Sequence, residues 1–132
     1  MEITSQCFFV LLFSFNHTGN TFNSHRIILA AKEKGGRGLQ DQVVEQFFKA
    51  YFEDEQSIGE DSVLLDYSKR AGMDVTEILA DDSKYRDEVI QEMKSFGAHC
   101  RGVPFFIIDN KFALSGAQEA ETLLDVFQQA CK

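Results

Sequence analysis

From Asn20 to Phe96 the apolar positions recur at helical spacing, in blocks separated by glycines and acidic clusters. Asn20-Thr21 gives an N-cap signal, and Ile27, Ile28, Ala30 and Ala31 supply the apolar part of a first helix ending at Gly35-Gly36. Val43, Val44, Phe47, Phe48, Tyr51 and Phe52 predict a second helix over Leu39 to Phe52, with a broad buried face. Asp54 to Gly59 breaks it. A third helix runs from Asp61 to Ala71 and stops at Gly72. Asp74 or Thr76 caps a short fourth through Leu79. Ser83 opens a longer one to about Phe96, with Tyr85, Val89, Ile90 and Met93 in phase.

The period then changes. Pro104 is the only proline, and Phe105 to Ile108 is an unbroken apolar run that reads as a strand. Proline has no N–H for a ladder, so it belongs at the strand's first position, and Val103 before it is pushed towards an extended conformation. Asn110-Lys111 marks a turn into a second short strand, Phe112 to Leu114. Ser115-Gly116-Ala117-Gln118 is a glycine corner before a terminal amphipathic helix with Leu123, Leu124, Phe127 and Ala130 on one face. At the other end, Cys7 to Phe15 is apolar apart from Ser14. It is too short for a membrane-spanning helix and reads as a strand.

The block GVPFFIIDNKFALSGAQ, with NTFNSHR near the start and AYFEDEQSIGEDSVLL between them, resembles the FrnE-like branch of the DsbA-like thioredoxin-fold oxidoreductases. The likeness covers about residues 18 to 131. It implies an α/β fold, an incomplete thioredoxin-like one with a helical insertion. The chain then reads as a single domain, residues 1–132. Residues 1–17 form an atypical apolar N-terminal strand, 20–98 the helical insert, and 100–132 the cis-proline strand, short strand and C-terminal helix. The family's first strand is missing, and Phe8 to Phe13 is expected to pair beside Phe105 to Ile108 in its place.

The resemblance also implies a groove for a peptide or thiol, formed by Gly102, Val103, Pro104, Ser115, Gly116, His25 and Arg26. Family members carry a Cys-x-x-Cys pair at a helix N-terminus, where the first thiol is activated and the second resolves the mixed disulfide. Here the cysteines are Cys7, Cys100 and Cys131, and no two are close. The chain is therefore expected to resemble a truncated family member, with no intact catalytic set. Cys100 is the surrogate candidate, set against a reading as a buried small hydrophobe. The implied ligand is glutathione or a cysteine-containing peptide, with no cofactor. Oxidoreductase membership with incomplete catalysis competes with a non-catalytic binding or regulatory module.

Composition narrows the remainder. The 132 residues carry a net charge of −8, so no basic surface suits nucleic acid, and no membrane attachment is expected. Thirteen phenylalanines and no tryptophan predict a phenylalanine-dominated core. Three cysteines are too few, and odd in number, for a disulfide scaffold, which fits a reducing, cytoplasmic setting. The alternative is a secretory signal over the apolar start, but Glu2 and the lack of an early Lys or Arg count against it. His99 next to Cys100 lacks further ligands at metal-site spacing, so no metal is expected. An exposed edge at Phe105 to Ile108 would favour self-association.

Overall fold

The computed structural model describes residues 20–98 and 104–132. The expected strand in residues 1–17 lies outside these, as do His99, Cys100, Gly102 and Val103. The elements are α1 (Phe22–Phe48), a π-helical turn (Lys49–Glu53), α2 (Asp61–Arg70), α3 (Thr76–Ala80), α4 (Arg86–Gly97), β1 (Phe105–Ile108), β2 (Phe112–Ser115) and α5 (Ala120–Ala130). This is an α/β arrangement, rich in helix, with a small two-stranded sheet among the described residues. The chain divides into two compact units. Of the described residues, one unit holds those up to Glu92 and the other those from Met93 on.

In the helical unit, α1 consists of two arms that meet at Gly35-Gly36. Gly35 has φ −137° and ψ 16°, and Gly36 has φ 67° and ψ −163°. The second pair of angles is open essentially to glycine alone. A Cβ on Gly35 would lie 2.7 Å from Leu39 Cβ, so the corner also needs the missing side chain. The second arm folds back until Gln40 Nε2 donates to the Ile28 carbonyl at 3.4 Å. The glycine pair thus makes a helical hairpin where the sequence predicts a helix end.

Ile27, Ala30 and Ala31 of the first arm and Val43, Phe47 and Ala50 beyond it are fully buried, with Leu64, Val75, Ile78 and Val89 from the later helices. The expected phenylalanine-dominated interior is corrected here. Among the described residues Phe47 alone of the phenylalanines is fully buried, and aliphatic side chains fill the core. For Phe52 the reason lies in the π-helical turn after Phe48. It adds a residue to one turn. Ala50 then points inward at 0% exposure, while Phe52 is left 60% exposed.

Asp54 ends this turn and ties it to α2. The Tyr67 hydroxyl donates to Asp54 Oδ2 at 2.6 Å, and Arg70 lies 4.1 Å over the Tyr67 ring while pairing with Asp66 at 2.7 Å. Asp74 performs the capping expected before α3, accepting from both the Thr76 N–H and its hydroxyl. Asp81 repeats the device with Ser83. α4 begins at Arg86, one turn later than the spacing predicts, because Tyr85 adopts φ 60°.

The other unit is built on the β1–β2 hairpin, antiparallel with Phe105 opposite Ser115 and Ile108 opposite Phe112. Asp109 and Asn110 both have positive φ, as a primed hairpin turn requires, and the Lys111 N–H donates to the Ile108 carbonyl at 3.2 Å. Asn and Asp tolerate that conformation, which is why this dipeptide sits here. Ile108 is 2% exposed. β2 alternates half-buried Phe112 and Leu114 with exposed Ala113 and Ser115. α5 contacts β1 and turns Leu123, Phe127 and Ala130 partly inward, while Leu124 remains 55% exposed.

Candidate functional site

The hairpin continues one step past its regular pairs. The Gly116 N–H donates to the Pro104 carbonyl at 2.8 Å. Proline lacks its own donor but keeps its acceptor, so it can close the ladder in this one direction. Gly116 turns the chain away with φ 83°, in the left-handed region that glycine enters freely. Gln118 then reaches back, its Nε2 donating to the Ser115 carbonyl at 2.9 Å and the Gly116 carbonyl at 3.2 Å. A glutamine at this position holds two carbonyls that leave the ladder. The corner therefore carries its own internal brace, which motif reading places at the right residues without revealing its bonds.

Three of the groove candidates, Pro104, Ser115 and Gly116, are thus brought together at one corner. Pro104 and Gly116 are half-buried and Ser115 is exposed. The α5 N-terminus has no side-chain cap and carries Glu121 in its first turn. Gly102, Val103 and the surrogate Cys100 lie outside the described residues.

His25 and Arg26 are placed in the interior of the helical unit, each 1% exposed. Residues 24–28 form a continuous buried run, more than one face of a helix. The Arg26 guanidinium donates from Nε to the Lys84 carbonyl at 2.8 Å, from Nη1 to Asn23 Oδ1 at 2.9 Å and from Nη2 to the Ile78 carbonyl at 2.6 Å and to the Asp81 carbonyl. It also faces Asp82 at 3.8 Å. Arg26 is a clasp that gathers carbonyls at the end of α3 and in the turn to α4, where the Asp81 carbonyl also accepts from the Lys84 N–H at 3.2 Å. Sequence gives no signal for this, because, apart from Asn23, its hydrogen-bond acceptors are backbone carbonyls more than fifty residues away.

Burial pushes the His25 imidazolium down from its ordinary 6.5 to about 4. Its folded form therefore resists a proton that the unfolded chain accepts. The associated stability is complete above pH 6.5 and is lost as pH falls towards 4, an effect of roughly 3 kcal/mol. Urea unfolding between pH 7 and pH 5 should show a steeper fall for the native chain than for His25→Asn. Equal slopes would contradict the assignment.

Among the described residues no group of three or more His, Cys, Asp or Glu side chains could hold a metal ion. Among the same residues, no helix is long and apolar enough to cross a membrane.

Comparison with known proteins gives the context for the corner. The model of the DSBA-like thioredoxin domain matches residues 6–128. The crystal structure of a probable DsbA oxidoreductase from Streptomyces coelicolor superposes with a TM-score of 0.74 at 36% identity, covering 86% of this chain and 49% of that one. The chain thus spans about half the length of that structure. No curated protein sequence matches it. With a family model matched along nearly the whole chain and a solved relative agreeing in fold, this protein belongs to the DsbA-like thioredoxin domain family.

Proposed function

We propose that these residues form the ligand-binding part of a DsbA-like module of the FrnE-like branch, one that binds a thiol and does not itself complete disulfide exchange. The observation that carries this reading is the corner where Gly116 is bonded to Pro104 and braced by Gln118. Backbone groups there are held in fixed positions next to the exposed Ser115, a setting suited to an extended peptide or to glutathione. No Cys-x-x-Cys pair occurs in the 132 residues. A single thiol such as Cys100 attacks a disulfide once, then stays in the mixed disulfide for want of a resolving partner. No cofactor is required for binding alone. A reducing, cytoplasmic setting suits this reading.

The test uses the 132-residue chain in insulin reduction with dithiothreitol, alongside titration with reduced glutathione. The expected result is a turnover rate equal to that of Cys100→Ala, with glutathione binding that Pro104→Ala weakens. Turnover well above the Cys100→Ala control, or binding unaffected by Pro104→Ala, would overturn the proposal. A second reading draws on the half-length match: the same corner serves a complete oxidoreductase when these residues are joined to a segment bearing the cysteine pair. The intact mass of the endogenous protein separates the two, a mass near 15.0 kDa favouring the first.

A further inference from the structure

The negative charge of this protein is unevenly spread. From Asp41 to Asp66 the chain carries eight carboxylates against one base, Lys49, and every one belongs to an exposed residue; Arg70, just beyond, pairs with Asp66 at 2.7 Å and faces Asp54 at 4.0 Å. In the middle of this stretch lies the π-helical turn, with Phe52 60% exposed. Phe52 packs against Phe48, tilted, with ring centroids 5.8 Å apart and against Tyr51, edge-on, at 4.8 Å. Phe48 and Tyr51 are half-buried, so the three rings make a supported aromatic platform and not a lone projecting side chain. The loop beyond it is anchored by the Tyr67–Asp54 bond.

We propose that this platform is a docking surface for a basic peptide segment that presents an apolar side chain between Lys or Arg residues. The charge decides the occupant. A second copy of a chain with net charge −8 would bring carboxylates against carboxylates around the rings. Nucleic acid and anionic lipid are repelled for the same reason. A peptide with Lys or Arg beside an aliphatic or aromatic anchor gains on both counts. Its anchor covers Phe52, and its cations meet the carboxylates and the ring faces. The platform uses none of the corner's residues and needs no thiol.

The test is fluorescence anisotropy with a fluorescein-labelled peptide carrying a Leu-Phe pair between two Lys-Arg pairs, added to the full 132-residue chain. Binding should weaken roughly tenfold on Phe52→Ala, the loss expected for an aromatic anchor. It should weaken comparably when NaCl rises from about 50 to about 500 mM. Glu53→Gln combined with Glu55→Gln should remove most of that salt dependence. Phe52 is exposed, so Phe52→Ala keeps its melting temperature, which circular dichroism checks. Absence of binding, equal binding by Phe52→Ala, or equal binding of a peptide with Glu in place of Lys and Arg each overturns the proposal. So does sedimentation showing that the chain self-associates through Phe52.

Discussion

Replacing Arg26 by Met should lower the stability of the helical unit by about 3 to 5 kcal/mol, a loss typical of breaking a buried charge-assisted network. Met keeps much of the volume and removes every donor. The carbonyls of Ile78 and Lys84 then lose the donor that Arg26 supplies, and that of Asp81 keeps only the Lys84 N–H. The exposed Asp82 is not the reason for the size of the effect, since at 3.8 Å it is a loose, solvated contact. For a chain of this length the fall should appear as a drop of very roughly 10 °C or more in melting temperature. Arg26→Lys should recover only part of it, because an ammonium cannot reach the same carbonyls in the same plane. Asp82→Asn is the control and should be nearly neutral. If Arg26→Met melted like the native chain, the clasp would carry no stability. A ligand-binding role for Arg26 would predict the reverse pattern, unchanged melting with lost glutathione binding.

The second large effect is expected at the hairpin corner. Gly36→Ala should cost about 1 to 3 kcal/mol, because φ 67° with ψ −163° is strained for any residue with a Cβ. No atom lies within 4 Å of the site where that Cβ would be, so the cost is backbone strain and not a clash. Gly38→Ala provides the contrast. It also has open space, but lies in the second arm with ordinary helical geometry. There the substitution should stabilise by about 0.4 to 1 kcal/mol, through a less flexible unfolded chain and better helix propensity. Thermal melts of the two single variants should therefore shift in opposite directions. A shared direction would mean that the corner is not fixed as described.

The same two sites show where reading the sequence succeeds and where it stops. Gly35-Gly36 is visible as a break, but a break alone does not say whether a helix ends or doubles back. The fold-back is decided by the Gln40–Ile28 contact and by the space Gly35 leaves for Leu39. His25 and Arg26 stand out as polar residues in a recognisable block. The carbonyls that hold Arg26 come from α3 and the turn after it, more than fifty residues on, so its burial could not be seen locally. Phe52 fits the helical period of its neighbours, and only the π-helical turn moves it to the surface.

By itself the sequence determined the order of elements. Helical periodicity over residues 20–96, the lone proline before an apolar run, and the glycine corner before an amphipathic helix are all local signals. Each element forms from interactions within a few residues of itself. The family likeness rests on those same ordered blocks. Only the tertiary structure decided which polar groups are inside, that Pro104, Ser115 and Gly116 meet at one corner, and that Phe52 is displayed at the surface. These depend on carbonyls, ladder partners and neighbouring helices distant in the chain, whose positions no spacing along the sequence encodes.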